Sequence, residues 1–356
     1  MKSICEKSLA GNDLNSDEIL ALLKCSDEQF YTVRKYACLV RDKYVGNAVH
    51  LRGLIEFSNF CTCDCRYCGI RKSNVHVNRY TMDKEAILEA AHFSRDRGYG
   101  SVVLQSGERR DEEFVSFVED VVREISAIGD GELGITLSCG VQSPDVYRRW
   151  RDAGANRYLL RIETTDRKLF AALHPDGDFD SRKEALSALK ECGYITGTGV
   201  MTGLPGQTVE MLVRDVEYFR ELGADMIGLG PYVTHSEAVL EEFGTDTPER
   251  MRERLAITYR MLCACRLTLR DVNIASATAL SALDPECGRV AGLLSGANVV
   301  MPNTGTPERR KEYDLYKNKP ETAESLEDIR KSAECAGCTL ELFTQGNPPR
   351  QVRQNA

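Results

Sequence analysis

The sequence predicts an α/β protein built as a (β/α)8 barrel of the TIM type, with a helical extension before it and a short helical segment after it. Three observations carry this expectation. From residue 51 onward, eight short apolar or β-branched runs alternate with helical stretches over about 250 residues. Polar and glycine-rich residues collect just past the C-terminal end of every run, where such barrels build their sites. The chain, at 356 residues, is long enough to bury a core of that size. An open doubly wound sheet is the competing arrangement and requires one or two of these strands to be misassigned.

Residues 1–50 read as a helical extension. Asn15, Ser16, Asp17 and Glu18 form a helix start before Ile19–Leu23, and Ser26-Asp27-Glu28 opens a second helix with apolar residues at Phe30, Val33, Tyr36, Ala37 and Val40. The barrel spans 51–316. Its strands are expected at 53–57, 101–104, 134–137, 157–161, 195–200, 226–229, 273–275 and 298–301. Helices are expected between them at 84–97, 111–127, 144–153, 166–173, 182–191, 207–222 and 247–265, with a shorter one at 286–294. The segment 317–356 reads as a connector, a final helix within 317–343, and a polar, loosely held tail from Thr344 carrying Pro348 and Pro349. There is no internal repeat or low-complexity tract.

The strand ends are distinctive. Cys61–Cys68 follows the first, Gln105-Ser106-Gly107-Glu108 the second, and Ser138-Cys139-Gly140 the third. Arg161 and Glu163 close the fourth, Gly203–Thr208 follows the fifth and Gly230-Pro231-Tyr232 the sixth. Ser276 and Thr278 lie past the seventh, and Pro302-Asn303-Thr304 past the eighth.

Composition narrows the classes. No apolar run reaches the length of a bilayer span. The net charge of −8 gives no reason to expect a nucleic-acid or acidic-membrane partner. The first residues lead into no apolar stretch, so a cytoplasmic location is expected, and fourteen cysteines then suit a reducing compartment rather than a disulfide framework. Cys38, Cys192, Cys263, Cys265 and Cys287 read as small core residues.

Cys61, Cys63, Cys65 and Cys68 fall within eight residues, and three of them have the spacing C-x₃-C-x₂-C. A loop that short aims three thiolates at one iron–sulfur cluster and leaves one iron of a 4Fe–4S cluster open. Structural zinc normally takes four ligands in two separated pairs, and no good second pair lies nearby. Cys61, Cys65 and Cys68 are the expected ligands, with Cys63 either replacing a neighbour or standing as a spare thiol.

C-x₃-C-x₂-C with an aromatic residue before the last cysteine, after the first strand of a barrel, resembles the radical S-adenosylmethionine (SAM) superfamily. Within it, Ile55–Cys61 followed by Tyr67–Arg71 is similar to the HydE family of FeFe-hydrogenase maturases. So are Leu104–Glu108, Arg157–Thr164, Gly203–Thr208 and Gly296–Asn303. The likeness covers roughly 50–316, with biotin synthase and the methylornithine-forming enzyme as more distant cousins. It implies a 4Fe–4S cluster and S-adenosyl-L-methionine, reductively cleaved to a 5′-deoxyadenosyl radical that acts on a small molecule in the barrel. The implied partners are that substrate, an electron donor such as flavodoxin or ferredoxin, and other maturases. By the same likeness Gly107 and Glu108 meet the methionine ammonium, Glu163 the ribose hydroxyls, and Arg161 and Arg182 the cofactor carboxylate. Tyr67 and the segment 199–208, with Met201 and Gly203, meet adenine.

Plainer readings stand beside these. Gly107-Glu108 is also a turn followed by a solvated charge; Arg161 and Glu163, two apart on a strand, also make a rim salt bridge. Gly203–Thr208 is also an ordinary loop. His235 reads as a satisfied loop histidine, and Tyr313 and Tyr316 as packing, although the resemblance sets them near the cavity floor. The likeness breaks at Ile162, where the family has histidine, at Val141, where a carboxylate is common, and at Ser276-Ala277-Thr278, where it has paired threonines. These changes read as substrate-side, so the substrate is open. Another radical enzyme, biotin-synthase-like or mutase-like, and a non-catalytic iron–sulfur scaffold remain as alternatives. Cys335 and Cys338, inside an expected helix, read as packing rather than a second cluster.

Overall fold

The computed structural model describes residues 1–129, 131–238, 247–320 and 324–350. The eight barrel runs all form parallel strands. They are β1 (Ala48–Ser58), β2 (Ser101–Ser106), β3 (Gly134–Ser138), β4 (Arg157–Leu159), β5 (Ile195–Thr198) extended by β6 (Met201–Thr202), β7 (Met226–Ile227) extended by β8 (Gly230–Pro231), β9 (Asn273–Ile274) and β10 (Val299–Val300). The hydrogen-bonded order is β10-β1-β2-β3-β4-β5-β7-β9. The Ala275–Val299 bridge joins the two ends. There, Asn298 N–H donates to Ile274 O at 2.9 Å and Ser276 N–H to Val299 O at 2.9 Å. The eight strands thus curl round on themselves, and the doubly wound alternative is excluded.

β1 shows how one strand serves two environments. Successive side chains alternate between faces. Leu54 and Glu56 turn into the barrel and line its upper cavity, and Arg52 lines a small space below. Gly53 and Phe57 face the helices. A Cβ on Gly53 would lie 2.3 Å from Ser94 Oγ, so glycine there permits the close approach of helix Lys84–Asp96. Phe57 stacks on Phe114 of helix Glu112–Ser126 with ring centroids 6.0 Å apart. That helix and the next lock together through Trp150, whose Nε1 donates to Val115 O at 3.0 Å.

Both expected N-terminal helix starts are real: Asn15 with Glu18, and Ser26 with Gln29, make reciprocal capping boxes. Among the described residues no helix is long and apolar enough to cross a membrane.

Several expectations need correction. β4 stops at Leu159, so Arg161 lies beyond the strand. The final segment holds helix Leu326–Cys335 and then an extra strand, β11 (Thr339–Glu341), parallel to the start of β1. Cys335 therefore closes the helix and Cys338 lies past a turn at Gly337 (φ +69°), the first exposed and the second buried. Cys287 is exposed rather than core, and Cys38 and Cys192 are half-buried; Cys263 and Cys265 are buried as expected. The tail up to Arg350 is not loose. It crosses the N-terminal end of the barrel, where Arg157 Nη2 donates to Gln345 O (2.8 Å) and Asn347 Oδ1 (2.6 Å), and Asn273 Nδ2 donates to Gly346 O (2.6 Å). The tail beyond Arg350 lies outside the described residues.

Candidate active site

The C-terminal ends of the strands surround a cavity of about 340 Å³. Cys61, Cys63, Cys65 and Cys68 line one side of it, with Gly107, Glu108, Arg161, Glu163, Arg182, Tyr67 and Met201. Residues drawn from five separate stretches of sequence thus meet in one space, as their positions after successive strands require.

Two residues not singled out as site residues shape the cysteine loop. Asn59 is fully buried. Its Nδ2 donates to Asn78 O (2.8 Å) and Glu312 O (2.9 Å), and its Oδ1 accepts from Tyr80 N–H (2.8 Å). Arg79 ties the loop across its width, donating to the main-chain oxygens of Asn59 (2.5 Å), Ile70 (2.8 Å) and Arg71 (2.6 Å). Gly107 lets the next strand's loop press in: a Cβ there would sit 2.2 Å from Phe60 O and 2.7 Å from Cys61 Cβ. Cys61 Sγ already accepts hydrogen bonds from the N–H groups of Glu108 (3.3 Å) and Cys63 (3.5 Å). Burial pushes the Cys68 thiol up to about 12. The Cys61 thiol is pushed up by its hydrogen bond with Cys63 and by burial. Metal binding must therefore expel protons from these thiols. Among the described residues, no three His, Cys, Asp or Glu side chains converge on a single metal ion. A 4Fe–4S cluster takes each cysteine on a different iron, so its ligands need no such common point.

Glu108 is buried, accepting from Arg110 Nη2 (2.5 Å) on one oxygen and from Val141 N–H (2.8 Å) on the other. Its carboxylate is thus fixed in direction. Arg161 and Glu163 share the cavity, though not by strand alternation: Glu163 takes φ +66°, a left-handed conformation rare for a glutamate, and bridges to Val200. Nη2 of Arg161 lies 2.9 Å from Oε2 of Glu163 without hydrogen-bond alignment, so the rim salt bridge exists as an ion pair. Arg161 Nε and Nη2 and Glu163 Oε2 are all buried without a hydrogen-bond partner. Buried polar atoms in that state are costly unless something completes them.

Arg182 Nη1 donates to Arg161 O at 2.9 Å. Tyr67 OH meets His174 Nε2 at 3.1 Å with the rings edge-on. His174 carries no sequence motif. Burial, with Arg182 nearby, drops its pKa to about 3, so it is neutral. Met201 lines the cavity, while Gly203 (φ +73°) does not. Gly203 shapes the turn behind it, its N–H bonded to Gln207 Oε1 at 2.8 Å.

The opposite wall carries a pairing that no local sequence pattern marks. Glu56 and Lys319 form a buried ion pair at 2.6 Å, and Asn303 Nδ2 also donates to Glu56 Oε2 at 2.6 Å. Tyr313 and Tyr316 line the cavity too, where the resemblance sets them and beyond the packing role read from the residues alone. His235 is the satisfied loop histidine expected: Nε2 pairs with Asp314 Oδ2 at 2.9 Å and Nδ1 accepts from Glu237 N–H at 3.0 Å. Of the substrate-side departures, only Ala277 and Thr278 reach the cavity. Ile162 is fully buried in the core, Val141 contributes its N–H alone, and Ser276 Oγ donates outward to Arg289 O.

The profile described as the radical SAM superfamily matches residues 55–219. The FeFe hydrogenase maturase subunit HydE of Thermotoga maritima is 37% identical over 343 residues, covering 96% of this chain and 89% of that protein. The 3-methylornithine synthase of Methanosarcina acetivorans is 28% identical, covering 87% of this chain and 86% of that one. Among solved structures, methylornithine synthase (PylB) superposes with TM-score 0.80 at 24% identity, over 96% of this chain and 98% of that one. The maturase HydG superposes with TM-score 0.81 at 18% identity, over 99% and 79%. These two structures speak to the fold, an eight-stranded parallel barrel.

Proposed function

The chain belongs to the radical SAM superfamily and is an enzyme closely related to HydE, and on that premise we propose that it reductively cleaves S-adenosyl-L-methionine to drive radical chemistry on a small molecule enclosed in the barrel, in hydrogenase maturation. Cys61, Cys65 and Cys68 would hold a 4Fe–4S cluster, with Cys63 a spare thiol. When bound, the cluster supplies the electron that breaks the cofactor's S–C5′ bond and yields the 5′-deoxyadenosyl radical. An electron-donor protein such as flavodoxin or ferredoxin provides that electron.

The chain's own residues bind and aim. The observation that carries the reading lies beside the cysteines: Arg161 Nε is buried without a partner, and Arg161 Nη2 and Glu163 Oε2 meet each other as an ion pair with hydrogen-bonding capacity left over. A guanidinium fork suits a carboxylate, and a carboxylate oxygen suits ribose hydroxyls. Arg182 assists the first, Gly107 and Glu108 take the ammonium, and Tyr67 and Met201 flank adenine. A carrier of iron–sulfur clusters has no use for such groups. Ala277 and Thr278 on the cavity wall set which molecule the barrel accepts.

Anaerobic reconstitution tests this: about four irons per chain are expected, as one cluster requires. Dithionite should then release 5′-deoxyadenosine and methionine. Reconstitution with one zinc and no 5′-deoxyadenosine would overturn the reading.

A further inference from the structure

Residues 313–320 follow helix Pro307–Glu312 and form no helix or strand, yet Tyr313, Leu315, Tyr316, Lys319 and Pro320 all line the cavity. The segment is moored to three separate walls. Gly69 N–H, on the cysteine loop, donates to Leu315 O at 3.1 Å, and Lys317 N–H donates to Thr234 O at 2.9 Å. His235 holds Asp314 from the same side as Thr234. The third mooring is ionic. Asn318 takes φ +58°, a left-handed conformation that asparagine tolerates, and the chain turns so that Lys319 runs back inward. Lys319 Nζ then donates to Glu56 Oε2 (2.6 Å) on β1 and to Tyr313 O (2.7 Å) at the segment's own start.

A buried ion pair is a poor source of net stability, but breaking one partner is costly. Such a pair suits a part that must sit in one arrangement. Burial raises the pKa of Glu56 and lowers that of Lys319, so each charge depends on the other.

We propose that Lys319 is a positioning residue which, through Glu56, holds residues 313–320 as a strap over the substrate side of the cavity and so shields the reacting space from bulk solvent. The shielding half of this rests on the radical SAM reading; the mooring half does not.

The test uses full-length Lys319→Met, Lys319→Arg and Glu56→Gln proteins in two arms. In the first, hydrogen–deuterium exchange is followed at the amides of Gly69, Leu315 and Lys317 without any cofactor. Lys319→Met and Glu56→Gln should exchange there roughly tenfold faster, with the rest of the barrel unchanged, and Lys319→Arg should stay near the parent. Unchanged exchange in Lys319→Met, or equal acceleration in Lys319→Arg, would overturn the proposal. In the second arm, reconstituted proteins receive S-adenosylmethionine and dithionite with no other substrate. Unproductive release of 5′-deoxyadenosine should rise about fivefold in Lys319→Met and return in Lys319→Arg, as exclusion of solvent predicts. Faster exchange with unaltered release would overturn the shielding role. If the parent releases no 5′-deoxyadenosine, the functional reading fails while the exchange arm still decides the mooring.

Discussion

Arg182 donates from Nη1 to the main-chain oxygen of Arg161 at 2.9 Å. Two arginines that the family resemblance sets near one cofactor group are thus linked to each other. Helix Phe179–Glu191 steadies the turn after β4, in which Glu163 takes its left-handed conformation. Arg182→Met should therefore lose a charge and also loosen Arg161 and Glu163. The expected loss of S-adenosylmethionine affinity is about tenfold to a hundredfold, from about 1.5–3 kcal/mol for a charge-assisted hydrogen bond. Arg182→Lys should fall between, since an ammonium lacks the fork. Equilibrium dialysis on reconstituted protein reads this, and parental affinity in Arg182→Met would sink it.

The four cysteines should separate cleanly. Cys61→Ala, Cys65→Ala and Cys68→Ala should each lose most of the cluster's iron and its visible absorbance. Cys63→Ala should keep about four irons per chain. Iron loss in Cys63→Ala equal to the others would reassign the ligand set.

Gly107→Ala offers a subtler route to the same defect. The added Cβ meets Phe60 O at 2.2 Å and Cys61 Cβ at 2.7 Å, both on the cysteine loop. The loop must shift, so the variant should fold with nearly parental circular dichroism yet hold its cluster poorly. Full iron retention would show that the loop gives way without consequence.

Acid should weaken the fold partly through His50. Burial, with Arg52 and Arg157 close by, pushes its pKa down to about 4. It is neutral near pH 7, so its 3.8 Å approach to Glu341 is not an ion pair there. The unfolded chain takes up this proton near pH 6.5 (about the free-histidine value). Between about 6.5 and 4 the unfolded state binds more protons, so stability falls as pH falls through that window. Urea midpoints at pH 7.5 and 5.0 should differ less in His50→Asn than in the parent. Identical slopes would assign the acid sensitivity to other groups.

Removal of residues from Thr344 onward should destabilise the barrel by about 2–5 kcal/mol, because Arg157 and Asn273 lose buried acceptors. Chemical denaturation measures it. A change near zero would mean that water replaces Gln345, Gly346 and Asn347 at no cost.

Local pattern was enough to find the strands and the cysteine loop. β-branched runs such as Val102–Leu104 and the polar residues after them repeat at a spacing only an alternating α/β chain needs. The limits of that reading were also local. The apolar run continues through Leu160 and so predicts a strand that carries Arg161 and Glu163, but β4 ends at Leu159. The family resemblance sets Ile162 on the substrate side, yet the turn sends it into the core. The tail reads as loose because prolines and polar residues carry no periodicity; two of its three acceptors, Gln345 O and Gly346 O, are main-chain oxygens, which sequence does not display.

The sequence alone determined the barrel, its order, the thiolate-bearing loop and the charged residues that share a cavity with it. The barrel and the loop arise from short-range periodicity and from topology, which sets every strand's C-terminal end at one mouth; the charged residues are picked out by likeness to a known family. The tertiary structure decided which side chains reach that cavity and what holds its far wall. Glu56 and Lys319 stand 263 residues apart and meet at 2.6 Å. A charge pair of that separation leaves no periodic trace, because its partner is chosen by the closure of the barrel and not by the neighbouring residues.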